Sequence, residues 1–280
     1  MPDPGTVEIF IIGNEILTGE IQDTNTHWLC REIHQLGGRV ERAIVLRDDL
    51  DAVAEELNAA LVRGVAVIFT AGGLGPTADD LTLAAVARGT GRPLQRNDIA
   101  LRMIQASYDS LHQRGILAQG GLTPAREKMA WLPAGAMPLA NPVGTAPCML
   151  LETGTTTIIS LPGVPPELKG IFSSSLQPFL QSTFRGGLAA THTLCVRCND
   201  ESTMEPVLSR VAPAHPGVYI KSLATRPGEM AELDIILTAV GADRGTVEAA
   251  VKAALTDLRI GLAGLGLTCW DKARTDMEQP

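Results

Sequence analysis

An apolar run, Val7 to Ile12, ends at Gly13 and predicts a buried strand. Thr24 to Leu36 predicts a helix, with Trp28, Leu29, Ile33 and Leu36 at helical spacing and Gly37-Gly38 as its stop. Val40 to Leu46 reads as a strand. Leu50 to Leu61 reads as an amphipathic helix with Val53, Ala54, Leu57 and Leu61 on one side. Val65 to Phe69 is all apolar, the pattern of a strand covered on both faces of a parallel sheet. A helix from Asp80, a long one from Asp98 to Arg114 and less regular sequence then lead to Trp131. Short strands are expected around Met149 and Ile158, and a helix near Pro165-Pro166-Glu167, where proline's missing N–H loses no partner. Strand and helix alternate from the start. That order specifies an α/β fold with a doubly wound, mostly parallel, three-layer sheet.

The pattern changes beyond STFRGGLAA, residues 182–190, which reads as a linker. Strands at Thr193 to Arg197, Val218 to Leu223 and Glu232 to Val240 alternate with helices at Glu201 to Val211 and Thr246 to Leu258. This βαββα order predicts a small α+β domain. The expected division is therefore a first domain over residues 5–181, a second over 190–262, and a polar tail over 263–280 ending in CWDKARTDMEQP.

Composition removes several function classes. A net charge of -8 over 280 residues argues against a broad nucleic-acid footprint, which needs clustered Lys and Arg. No apolar run approaches the roughly 20 residues of a membrane span. The N-terminal sequence lacks a basic, then apolar, leader pattern, so the expected location is the cytoplasm. Five cysteines, an odd number, suit reduced thiols. Cys195 and Cys198 form a CxxC within a predicted strand, where positions three apart face opposite ways, so packed thiols are expected rather than a metal or redox pair.

The stretch TAGGLGPTADDLT, residues 70–82, poses the chemical question. Glycine-rich turns before a helix commonly receive phosphate, yet Asp79 and Asp80 would repel one. The segment lacks the GK[ST] of a phosphate-binding P-loop. Gly73, Gly75 and Ala78 match a dinucleotide fingerprint in letters, but they follow the third strand, not the first. Two readings remain. Thr77 and Asp80 form a capping box. Alternatively, the paired acids share a divalent cation with phosphate. Two carboxylates roughly 4 Å apart repel by about 4 kcal/mol at an effective dielectric near 20, and a cation removes that penalty. GNEILTGEIQDTN (13–25), NPVGTAP (141–147) and LPGVPPE (161–167) add polar glycine turns near predicted strand ends, where open α/β sheets bind ligands.

Taken in chain order, these four motifs resemble the CinA (competence/damage-inducible protein A) family, whose N-terminal domain has the molybdopterin-binding fold of molybdenum-cofactor biosynthesis proteins. The βαββα unit is similar to the KH-like domain that follows in CinA, so the likeness covers about residues 6–262. The chain lacks the nicotinamide mononucleotide deamidase domain that many CinA proteins carry, so that activity is not expected. It has Cys148 where the family has glycine, which is expected to tighten that turn. It has no GxxG loop in the KH-like unit, so no nucleic-acid partner is expected and the unit reads as structural or dimer-forming. The resemblance implies a metal-dependent pyrophosphatase that cleaves ADP-ribose and related nucleotide diphosphates to AMP and a sugar phosphate. The alternatives are a molybdopterin-binding protein of molybdenum-cofactor biosynthesis or a non-catalytic nucleotide-binding protein, in a homodimer or higher homo-oligomer. On the hydrolase reading, Asp79 and Asp80 hold a divalent cation (Mg, Mn or Co), Asp80 being shared with the wider fold family. Gly72, Gly73 and Gly75 offer amides to phosphate, and Asp23 or Glu15 orients water. Thr18, Thr77, Asn25, Asn141, Gly144 and Thr145 contact the nucleotide, and Lys128, at a basic position of the family pattern, neutralises a phosphate. The same turns would serve the phosphate of molybdopterin.

Overall fold

Residues 5–184, 188–226, 232–241 and 243–272 are described by a computed structural model. The chain divides into two compact units, one running to Arg185 except for Gln35–Gly37, the other from Gly186 onward.

In the first unit, β1 (Thr6–Ile12) leads through a one-turn helix α1 (Asn14–Leu17) to α2 (Asn25–Gln35) and back along β2 (Arg39–Leu46). Next comes α3 (Leu50–Arg63). Asp49 caps it by accepting from the Asp51 and Ala52 amides, and Gly64 ends it in the left-handed region. β3 (Val67–Ala71) and α4 (Thr82–Gly89) follow. β4 (Leu94–Arg96) and β5 (Trp131–Pro133) pair as a separate two-stranded sheet and bracket α5 (Asp98–Gln113) and α6 (Pro124–Lys128). β6 (Met137–Leu139), β7 (Cys148–Thr153), β8 (Thr156–Leu161), α7 (Pro165–Phe172) and α8 (Gln177–Thr183) complete the unit.

The main sheet has the order β2-β1-β3-β8-β7-β6. Its first four strands are parallel; β7 runs antiparallel to β8, and β6 to β7. One face packs Phe10, Ile12, Ile68 and Ile158 against α3, α4 and α5 through Leu57, Val86 and Ile104. On the other, Phe69 meets Phe172 of α7, which in turn takes the edge of Trp28 from α2. Helices therefore cover both faces. The sequence expectation of a doubly wound, mostly parallel sheet matches this arrangement.

Two readings of the strands need correction. The run Val7 to Ile12 contains Glu8, which is 1% exposed and accepts two 2.7 Å bonds from the Arg63 guanidinium of α3. A buried carboxylate is tolerated because a fork of donors matches it. Cys148 tightens no turn. It is the first residue of β7, fully buried opposite Leu139, and burial pushes its thiol far above the usual range.

The second unit comprises β9 (Leu188–Arg197), a 3-10 turn at Glu201–Met204, α9 (Glu205–Ala214), β10 (Val218–Arg226), β11 (Glu232–Gly241), α10 (Arg244–Gly264) and β12 (Cys269–Asp271). Its antiparallel sheet, ordered β10-β11-β9-β12, packs Leu194, Val196, Ile235 and Leu237 against Val251 and Leu258 of α10. The stretch 182–190 is not a free linker throughout. α8 continues to Thr183, and β9 begins at Leu188 because Leu188 to Ala190 find ladder partners in Gly241 to Ala239. The tail also begins later than expected. Cys269 to Asp271 pair with β9, and the Arg197 guanidinium lies over the Trp270 ring at 5.7 Å. Residues 273–280 lie outside the described residues. Cys195 and Cys198 are free, buried thiols. No described helix is long and apolar enough to cross a membrane.

Candidate ligand cleft

The chain leaves β1 toward β2 on one side, while β3 lies on the other, so the loops after β1 and β3 open a crevice at the carboxyl ends of the strands. Gly72 sits where these loops meet. Its φ is +113°, and a side chain there would lie 2.0 Å from the Ile12 carbonyl oxygen. The Gly72 amide donates to the Leu161 carbonyl, and Gly163, after β8, approaches Gly72 closely. Thr82 then locks the turn to α4, its hydroxyl donating to the Gly72 carbonyl and its amide to the Gly73 carbonyl. Glycine is required here for close main-chain approach. The expected donation of the Gly72 amide to phosphate fails, because Leu161 already takes it.

A cleft of about 540 Å³ opens over this crossing. Glu15, Asp23, Asn25, Gly72, Gly73, Gly75, Asp79, Asp80 and Thr145 all line it. Asp48 and Glu167 line it as well, giving six carboxylates, and among the described residues no Lys, Arg or His joins them. The carboxylates are seated against glycines. A β-carbon on Gly13 would lie 2.6 Å from Glu15 Oε1, one on Gly75 2.6 Å from Asp80 Oδ2, and one on Gly144 2.0 Å from Glu167 Oε2.

Asp80 is held in a turn, not in a helix. α4 starts at Thr82, and Asp80 Oδ2 accepts from the Thr77 amide at 2.9 Å and the Thr77 hydroxyl at 2.5 Å. The acid reaches back as a capping box requires. The threonine hydroxyl, however, donates to the acid instead of accepting an amide. That same hydroxyl, the Asp79 backbone amide and the positive charge of Lys128 hold the exposed Asp79 carboxyl below the usual carboxylate range. Among the described residues, no three His, Cys, Asp or Glu side chains converge as a group that could hold a metal ion. Asp79 and Asp80 supply two carboxylates at this turn.

Other expected site residues serve different ends. Lys128 does not face the cleft over Asp79 and Asp80. Its ammonium donates to the Thr77 and Asp80 carbonyls, strapping α6 to the acidic turn, and it lines a neighbouring groove with Leu94, Pro124 and Trp131. Asp23 lines the cleft but is engaged at the start of α2, accepting from the Thr26 amide and hydroxyl. Thr18 is exposed, donates to the Glu15 carbonyl and lies outside the cleft, as does Thr77. Asn141 and Gly144 lie outside the lining too. Asn141 accepts from the Val143 and Gly144 amides and donates to Ala146 O and Glu167 Oε2, so it builds the turn that places Glu167.

Sequence reasoning missed Asp48 and Glu167. Asp48 follows β2 and accepts from the Asn14 amide at 2.8 Å, tying the loop after β1. Its signal was its place just after a predicted strand. Glu167 stood within LPGVPPE but read only as part of a helix start.

The family model described as "Probable molybdopterin binding domain" matches residues 8–182. A protein of Pyrobaculum arsenaticum is 39% identical over 218 residues, covering 78% of this chain and 79% of its own length. One from Aeropyrum pernix is 40% identical over 214 residues, with 76% and 77% covered. Among solved structures, CinA from Thermoplasma acidophilum, described as a protein with unknown function, superposes with a TM-score of 0.56 at 34% identity, covering 62% of this chain and 98% of that one.

Proposed function

The chain belongs to the probable molybdopterin-binding domain family, and from that premise we propose that its cleft binds a nucleotide diphosphate such as ADP-ribose and hydrolyses the P–O–P bridge to AMP and a sugar phosphate. One observation carries this reading. Among the described residues, six carboxylates and no basic side chain surround glycine turns at the mouth of a doubly wound sheet. A bare anion is repelled there; an anion that arrives with a divalent cation is not. The residues that would hold such a cation (Mg, Mn or Co) are Asp79 and Asp80, and when bound it supplies charge neutralisation on the phosphate oxygens.

The chain's own residues do the rest. The Thr77 bonds and the Lys128 strap fix the acidic turn. Glu15, against Gly13, is the acid we assign to orient the attacking water; the alternative, Asp23, is engaged by Thr26. Water adds to one phosphorus, the bridging oxygen leaves with the other phosphoryl group, and the water's proton passes to the acid.

The runner-up is binding of molybdopterin without hydrolysis, favoured by the family's description. One panel separates them: ADP-ribose, FAD, coenzyme A and molybdopterin, each with Mg, Mn, Co or a chelator, followed for AMP and for binding. Chelator-sensitive release of AMP from ADP-ribose supports the hydrolase. Tight molybdopterin binding with no AMP from any probe replaces it with the runner-up.

A further inference from the structure

Asn25 opens α2, an eleven-residue helix, at the edge of the cleft. The residue is 7% exposed. The amide nitrogen donates to the Gly163 carbonyl at 2.7 Å. A carbonyl only accepts, so the nitrogen must face Gly163 and Oδ1 must point away from it. That Oδ1 is buried and, among the described residues, has no hydrogen-bond partner. A buried acceptor left unpaired is costly, and such groups in native structures call for a partner.

The nature of the partner follows from the acceptor. An amide oxygen takes a hydrogen bond from an O–H or N–H; a phosphate oxygen offers it none. The surrounding side chains reinforce the choice, since Glu15, Asp23, Asp48 and Glu167 present further acceptors and, among the described residues, no Lys, Arg or His lines the cleft to compete. We propose that Asn25 reads a neutral hydrogen-bond donor of the ligand, a sugar hydroxyl or a pterin N–H, and so fixes which end of the ligand lies against α2. Phosphate then lies toward Asp79 and Asp80, and the donor-bearing moiety toward Gly163. This rests on the reading of the cleft as the ligand site but not on any turnover there.

The test is calorimetric titration of wild type and Asn25→Ala with ADP-ribose, neopterin and inorganic pyrophosphate, all in magnesium. The variant should weaken ADP-ribose, neopterin or both about tenfold or more, the scale of one buried hydrogen bond, and leave pyrophosphate within about twofold. Which of the two weakens identifies the donor as sugar or pterin. Alanine also removes the bond to Gly163, so a second measurement leaves the protein untouched: wild type titrated with analogues carrying a methyl on one ribose hydroxyl or on one pterin nitrogen at a time. One analogue should lose about tenfold. Equal binding of all analogues overturns the proposal and makes Asn25 a structural amide. Equal weakening of pyrophosphate in a variant that melts with wild type overturns it and places phosphate at Asn25. Failure of wild type to bind either donor-bearing probe also overturns it. Absence of AMP release alongside the expected binding pattern removes only the hydrolase reading.

Discussion

Gly144→Ala tests whether the cleft's glycines exist to seat its acids. Gly144 has no left-handed backbone, so alanine introduces no main-chain strain. Its β-carbon would lie 2.0 Å from Glu167 Oε2 and 2.1 Å from Cδ. Ordinary contact requires the carboxylate to retreat by about 1.5 Å. That breaks the 2.7 Å bond from Asn141 Nδ2, while the bond from Nδ2 to Ala146 O survives. Losing a hydrogen bond to a charged group costs roughly 1.5–3 kcal/mol. At about 2–4 °C per kcal/mol for a unit of this size, Tm should fall by roughly 3–12 °C. Glu167→Ala removes a first-turn acid and the same bond. In that background Gly144→Ala has nothing to displace, so the pair should couple by at least about 1 kcal/mol. Urea denaturation of the four-member cycle reads this directly. If Gly144→Ala costs the same with and without Glu167, the glycine serves its own turn and the seating argument is wrong.

Asp80→Asn keeps an acceptor for Thr77 and should cost at most about 1 kcal/mol, yet lower AMP release from ADP-ribose by orders of magnitude; wild-type turnover would reduce the acid to a turn former. Lys128→Met removes both donors from the acidic turn and should lower turnover about tenfold with a small change in Tm, whereas Lys128→Arg should recover part of it; unchanged kinetics would make the strap irrelevant. Glu8→Ala leaves Arg63, 31% exposed, with Glu56 alone and should destabilise by about 2 kcal/mol in denaturant, less than a fully buried pair. Burial lowers the His34 pKa, so the unfolded chain binds that proton first; stability should fall as pH drops through the unfolded histidine range near 6.5, and His34→Gln should flatten that slope.

The main sheet was legible because Val65 to Phe69 is apolar throughout and strand and helix alternate around it, and α3 because Asp49 and Gly64 bracket an amphipathic run. Glu8 was overlooked because its partner Arg63 lies on an element 55 residues away, and no local pattern records a guanidinium across a sheet face. β12 was overlooked because three residues carry no period; Cys269 to Asp271 become a strand only through β9. In the cleft, loop position after a strand located Glu15, Asp79, Asp80 and Asn25 correctly in the lining. It could not say which polar groups were already engaged. Asp23 answers to Thr26, Lys128 to two carbonyls and the Gly72 amide to Leu161, and each pairing depends on folded geometry.

The glycine turn and its acids pull apart only if glycine is there for phosphate. In the fold, Gly72 admits the Ile12 carbonyl, while Gly13, Gly75 and Gly144 each leave room for a carboxylate at the place a β-carbon would fill. The same loops therefore need glycine because they carry acids. Seated this way, a carboxylate loses side-chain freedom before any ligand arrives, which reduces the ordering cost of binding. It also lies beside main-chain amides, as Asp80 does beside the Thr77 N–H, which offsets part of the repulsion among six negative groups. On the proposed reading, the remaining repulsion is relieved by the ligand: a cation at Asp79 and Asp80, and hydrogen-bond donors along Asn25 and Glu167. A ligand carrying only phosphate satisfies the first demand and leaves the second unmet. On the proposed reading, a ligand that joins a phosphate to a donor-rich ring or sugar meets both.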